Sequence, residues 1–302
     1  MNQNLNVRAP AAGERALVLH GGGAAGNAWE IGVIAGLSDG GLDVTKADLI
    51  IGTSAGATAA AQITSAPPAE LLADILAAAP PPRPRPAESD GGRVSAGTVA
   101  DHMDRTSRII AAARDASDMR RRMGVAALEM AAALDSSARW RDTVAARLPS
   151  QHWPQQSVLI TAVDARTGEP VVFDRHCDVD LVDAVAASTS SGSAYRIGDQ
   201  QYIDGGYRRN ENADLAVGYG RVLVLSPFGG RTRHPLEWGM QLAAQVDELR
   251  TRGSRVETIF PNGDARTAFG DNMMDLSARP PAAQAGYNQG KALAEQLTEF
   301  WR

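Results

Sequence analysis

After a polar stretch over residues 1–14, which reads as a flexible tail, apolar residues first gather at Arg15-Ala16-Leu17-Val18-Leu19-His20, and Gly21-Gly22-Gly23 ends the run. A short apolar run closed by glycines predicts a buried strand. From Asn27 to Leu37 the spacing changes. Trp29, Val33, Ile34 and Leu37 recur at helical intervals, and Gly40-Gly41 stops them. A second apolar run, Leu49-Ile50-Ile51, leads through Gly52-Thr53-Ser54 into small, helix-compatible residues that reach Thr64 before Pro67-Pro68. Strand, helix, strand and helix in such quick succession predict a parallel sheet with crossover helices.

The pattern then turns helical for a long way. Ala69 to Ala79 predicts one helix, and Pro80 to Pro86 an extended, polyproline-like surface loop. Ser95 to Leu148 is rich in Ala, Arg and Met and predicts two or three helices. Residues 69–150 are therefore expected to form a helical insert that walls or covers a site. Strand patterns resume at Ser157–Val163 and Val171–Phe173, joined by the turn Arg166-Thr167-Gly168-Glu169. A short helix over Leu181–Ala187 follows, then a loop over Ser188–Ser193, and Gln201-Tyr202-Ile203 runs into Asp204-Gly205-Gly206. Arg221–Phe228 predicts a buried strand, His234–Arg252 a helix, Val256–Phe260 a strand and Pro281–Trp301 a final helix. The expected fold is a three-layer α/β/α domain over residues 15–302 with a mainly parallel central sheet.

Composition narrows the function. The 302 residues suffice for a substantial core, and 44% hydrophobic with 22% charged residues is ordinary for a soluble globular chain. A net charge of -5 offers no bulk basic field to hold nucleic acid. Cys177 is the only cysteine, so neither an internal disulfide nor a cysteine-held zinc is expected. No secretory leader or membrane span is legible, so a cytoplasmic enzyme is the default reading, with peripheral membrane contact left open. The basic run Arg120-Arg121-Arg122 reads as a solvated helix face or as a contact for anionic headgroups.

Three short stretches carry chemistry. Gly52-x-Ser54-x-Gly56, between a strand and a helix, is the pattern of a nucleophile elbow. Its tight turn holds a serine hydroxyl clear of the backbone at a helix start, where free N–H groups favour negative charge. Gly21-Gly22-Gly23-Ala24-Ala25-Gly26 fits a dinucleotide-binding loop or an oxyanion hole. The dinucleotide reading wants an acidic residue at the end of the second strand, and Gly52-Thr53-Ser54 stands there instead. Asp204-Gly205-Gly206 is a tight turn that leaves a carboxylate unobstructed. None of the five histidines sits in a setting that marks it as the base for Ser54, although His234 follows Asp204 and keeps a Ser-His-Asp triad in play.

In this order the three motifs resemble the patatin-like phospholipase family, and Ala187-Ser188 and Asn210 extend the likeness. The resemblance implies acyl-ester hydrolysis of lipids through an acyl-enzyme, with no metal and no cofactor. Ser54 would be the nucleophile and Asp204 its base. The N–H groups of Gly21, Gly22, Gly23 and Ala24 would form the oxyanion hole, and Gly26, Gly52, Gly56, Gly205 and Gly206 would shape the turns. Transfer of the acyl group to an alcohol other than water stays open. Two positions depart from the family pattern: Ala25, where many members carry Lys or Arg, and Asn212, where many carry proline. With backbone donors in the oxyanion hole, Ala25→Arg is expected to change turnover only modestly. Burial is expected to raise the Asp204 carboxyl from its ordinary pKa of about 3.9, because a free aspartate is a poor base at neutral pH.

Overall fold

A computed structural model describes residues 14–78, 96–133 and 136–302. The tail at 1–13 and the polyproline loop at 80–86 lie outside the described residues. Strand β1 (Arg15–Leu19) leads into helix α1 (Gly23–Asp39), then β2 (Leu49–Gly52) into α2 (Ala55–Ile63). Helix α1 begins four residues before the expected Asn27. The glycine-rich stretch is therefore the first turn of the helix, with Gly22 as its N-cap.

Helices α3 (Pro68–Ala77), α4 (Ala96–Ala112), α5 (Ala116–Ala133) and α6 (Ser137–Ala145) follow. The described part of the expected insert thus carries no strand. In α5 the basic run is largely engaged. Arg122 and Arg121 pair with Asp118 at 3.0 and 3.7 Å, and Arg120 donates to the Gly168 carbonyl at 2.8 Å, pinning the helix to the hairpin turn.

The remaining strands are β3 (Ser157–Asp164), β4 (Pro170–Phe173), β5 (Tyr195–Ile197), β6 (Gln200–Asp204), β7 (Arg221–Leu225) and β8 (Arg255–Ile259). Helix α7 (Leu181–Ser188) precedes β5, α8 (Leu242–Thr251) lies between β7 and β8, and α9 (Gly263–Phe269) and α10 (Arg279–Trp301) end the fold. The expected helix over His234–Arg252 forms only from Leu242. Pro235 opens a single 3₁₀ turn, and Gly239, at φ 63°, closes it. Helix α9 was not foreseen. It is one short helix, capped by the Asn262 side chain on the Ala265 N–H at 2.9 Å.

One eight-stranded sheet runs β5-β6-β3-β2-β1-β7-β8, with β4 paired to β3. The strands from β3 through β8 in that order are parallel, while β4 and β6 run antiparallel to β3. The architecture is α/β, as expected. Alternation sends Leu17, Leu19, Leu223 and Leu225 to one face, into the core shared with α1, α2 and α7, and α10 packs on α1. Ala16, Val18, Val222 and Val224 point to the other face, under α8.

Helices α1 and α10 lie unusually close. A methyl group at Gly36 would stand 2.1 Å from the Tyr287 carbonyl oxygen, and one at Gly290 would stand 2.1 Å from that of Val33. Backbone meets backbone along this seam, and only hydrogen side chains allow it. Among the described residues, no helix is long and apolar enough to cross a membrane.

Candidate active site

The carboxyl ends of β1 and β2 place the two glycine motifs side by side. Strand β2 ends at Gly52, and Ser54 takes φ 54° and ψ -121°, a backbone state that non-glycine residues rarely adopt. This is the strained elbow that the sequence predicts. Gly56 permits it, since a methyl group there would stand 2.1 Å from the Leu19 carbonyl oxygen. The strain is held by bonds on both sides. The Thr53 N–H donates to the Leu19 carbonyl at 3.0 Å, and the Ser54 N–H donates to the Ser188 hydroxyl at 2.9 Å.

Asp204 arrives at the end of β6, two strands away from β2. Its carboxylate oxygen Oδ2 accepts the Ser54 hydroxyl at 2.7 Å, and Oδ1 accepts the Gly206 N–H at 2.8 Å. The glycine pair after Asp204 thus orients its carboxylate, and Gly205 forms part of the 3₁₀ turn that follows. Asp204 is buried. Desolvation lifts its carboxyl from 3.8 to about 6, against the pull of the Gly206 N–H and the Ser54 hydroxyl, both of which favour the charged form. A carboxylate with that value can accept a proton at neutral pH far better than an exposed aspartate.

The glycine loop touches this pair. A methyl group at Gly21 would lie 3.0 Å from Ser54 Cβ and 3.4 Å from its Oγ. The N–H groups of Gly21, Gly22, Gly23 and Ala24 meet no hydrogen-bond acceptor among the described residues. That of Ala25 is taken by the Met273 carbonyl at 3.0 Å, and that of Gly26 by the Gly22 carbonyl at 2.8 Å. The Ala55 N–H, first in α2 and next to Ser54, likewise meets no acceptor among the described residues. Sequence reading did not single out Ala55, although its place after an elbow serine is the signal that could have done so.

The two departures from the family pattern occupy buried positions. The Ala25 side chain is fully buried in the core, so the site cannot simply receive an arginine there. Ala25→Arg is therefore not the modest change expected, because the position is sealed. Asn212 takes φ 57°, which proline, fixed near -65°, cannot adopt. Its buried side-chain amide donates to Thr53, Thr161 and Gly205.

Among the described residues, no histidine is hydrogen-bonded to the Ser54 hydroxyl. His234 Nδ1 lies 3.3 Å from Asn210 Oδ1 and 3.3 Å from the Thr232 hydroxyl, and burial lowers its pKa to about 4. His20 packs edge-on against Phe228, and burial lowers its pKa to about 3. The Ser54 hydroxyl donates to Asp204 directly, with no histidine between them.

A family model described as patatin-like phospholipase matches residues 17–217, two thirds of the chain. The match takes in the glycine loop, the elbow and the Asp204 turn. Two solved structures resemble the fold: VipD from Legionella pneumophila, at 13% identity and a TM-score of 0.42, and the type III effector protein ExoU, at 15% and 0.34. The aligned region covers 95% of this chain and 67% of VipD; for ExoU the figures are 94% and 54%. The chain thus spans about half the length of ExoU. No curated protein matches the chain.

Proposed function

Because the chain belongs to the patatin-like phospholipase family, we propose that it is a lipid acyl hydrolase working through a Ser54–Asp204 dyad and a covalent acyl-enzyme. The observation that carries this reading is the 2.7 Å bond between the Ser54 hydroxyl and a buried carboxylate, beside N–H groups that meet no acceptor among the described residues.

Ser54 Oγ attacks the ester carbonyl carbon while Asp204 Oδ2 takes the hydroxyl proton. The carbonyl oxygen becomes an oxyanion, and the N–H groups of Gly22 and Gly23, with Gly21, Ala24 and Ala55 beside them, stabilise it. A well-placed donor of this kind contributes about 3 kcal/mol to the barrier reduction. The tetrahedral intermediate collapses, and the proton on Asp204 passes to the departing alcohol oxygen. Water then attacks the acyl-serine, Asp204 takes its proton, and collapse returns that proton to Ser54. A peripheral docking of the chain on lipid surfaces belongs to this proposal too.

The test is intact-protein mass spectrometry after exposure to a fluorophosphonate, followed by a panel of p-nitrophenyl esters and phospholipids. One adduct per chain, absent from folded Ser54→Ala together with all ester hydrolysis, is the expected result. Full labelling or undiminished hydrolysis by Ser54→Ala would refute it.

A further inference from the structure

Ser54 and Asp204 come from strands that are not neighbours. Strand β3 lies between β2 and β6, so their backbones stand two strand spacings apart, about 10 Å. The two ladders also use different parts of β3. Gly52 is opposite Ile160, and Asp204 is opposite Ala162. Thr161 is the one residue between them. A 2.7 Å bond across such a gap requires something to fix both backbones beneath it.

Asn212 lies where that link is needed. It is fully buried. Its Oδ1 accepts from Arg208 Nη1 at 2.7 Å, and Arg208 is itself held by a two-pronged pair with Asp214 at 2.9 and 2.8 Å. Arg208 can only donate, so this contact fixes which end of the amide is the oxygen. The Nδ2 end then donates to the Gly205 carbonyl at 3.1 Å, to Thr53 Oγ1 at 3.0 Å and to Thr161 Oγ1 at 3.2 Å. Two N–H groups serve three acceptors, and the two threonine hydroxyls, 3.0 Å apart, share one of them.

Thr53 immediately precedes the nucleophile, and Gly205 immediately follows the acid. We propose that Asn212 is a positioning residue for the Ser54–Asp204 pair: its one side-chain amide ties the residue before the serine to the residue after the aspartate, across β3. This rests on the dyad reading. Asn212 touches neither reacting group and acts through Thr53 and Gly205. It also gives the departure from proline a use, since a proline ring has no N–H to bridge the two turns.

The test separates the amide from the backbone it occupies. Asn212→Gly keeps the left-handed conformation without strain and deletes the bridge. Misplacement of reacting groups by about 1 Å costs on the order of 100-fold. Asn212→Gly should therefore lower kcat for a short p-nitrophenyl ester about 10- to 100-fold, leave KM within about threefold, and slow fluorophosphonate labelling by the same factor as kcat. Asn212→Asp keeps the size and the Arg208 contact but cannot donate. It should lose kcat as well, and its added carboxylate should move the acidic limb of the kcat/KM profile to higher pH. If Asn212→Gly does not fold, Thr53→Val removes one acceptor of the bridge and should show a smaller kcat loss with unchanged KM. Wild-type kcat in folded Asn212→Gly, or in Thr53→Val where the glycine variant fails to fold, overturns the proposal. A wild-type chain with neither hydrolysis nor labelling overturns the hydrolase reading and, with it, the positioning role.

Discussion

Asp204→Asn should inactivate the protein and make it more stable. The carboxyl is buried beside neutral partners, and desolvation lifts its pKa from 3.8 to about 6. The folded state therefore holds the proton more tightly than the unfolded state. The stability linked to that proton is full below about pH 3.8 and is lost as the pH rises through about 6. At pH 8 the folded protein carries the whole cost of a desolvated carboxylate, about 3 kcal/mol for a shift of about two pKa units. Asparagine has the same shape and removes the charge. Its oxygen can still accept the Gly206 N–H, and its amide can donate to the Ser54 hydroxyl. For 302 residues the unfolding entropy is about 0.6 kcal/mol/K, so the variant should melt about 5 °C above wild type at pH 8. At pH 4 the gap should close, because the wild-type carboxyl is then protonated in the fold. The assay is thermal unfolding by circular dichroism at both values, with p-nitrophenyl ester hydrolysis measured alongside. An Asp204→Asn variant that melts below wild type at pH 8, or that keeps the same gap at pH 4, would refute the burial argument. Substantial hydrolysis by the variant would refute the assignment of the base.

Other perturbations test the surroundings of the pair. Ser54→Gly removes the strain of φ 54° and should raise unfolding free energy by about 1 kcal/mol in denaturant titration, with no esterase activity. His234→Ala should keep fluorophosphonate labelling at the wild-type rate, because its ring contacts Asn210 and Thr232 and not the serine; a folded but unlabelled variant would restore the triad. Ala25→Arg should cost several kcal/mol or prevent folding, since a charged side chain would enter a sealed core position, and a wild-type melting temperature would contradict this. Gly36→Ala should lower the melting temperature, because its methyl group would meet the Tyr287 carbonyl at 2.1 Å and force α1 from α10; an unchanged value would show that the seam is looser than described.

Local chemistry made much of this site readable. Gly52 to Gly56 had to form a tight turn after an apolar strand, and such a turn presents the Ser54 hydroxyl at the start of a helix. Asp204-Gly205-Gly206 likewise announced a carboxylate on a turn. That the two meet, 150 positions apart, was read from resemblance and not from spacing. Contacts that depend on register stayed hidden. Nothing in the sequence says that Asn212 reaches Thr53, because that contact depends on β3 filling the gap between β2 and β6. The early start of α1 was missed because glycines normally end helices, whereas here Gly22 and Gly23 begin one. The helix expected from His234 failed for the opposite reason: its apolar spacing was sound, but Pro235 and Gly239 act locally and won.

The seam between α1 and α10 has a consequence for how the chain comes into being. Helix α1 supplies the candidate oxyanion donors from residues 23 and 24, yet its outer face is closed by a helix that runs to Trp301. The family match stops at residue 217, so this closure lies wholly beyond it. During synthesis, from the N-terminus onward, the glycine loop must wait until residues 279–301 have been made before α1 has its partner. A partner so distant in sequence makes this step late and slow in folding. A chain that stops short of residue 279 therefore leaves this face of α1, the helix that begins in the glycine loop, without the backbone surface it packs against.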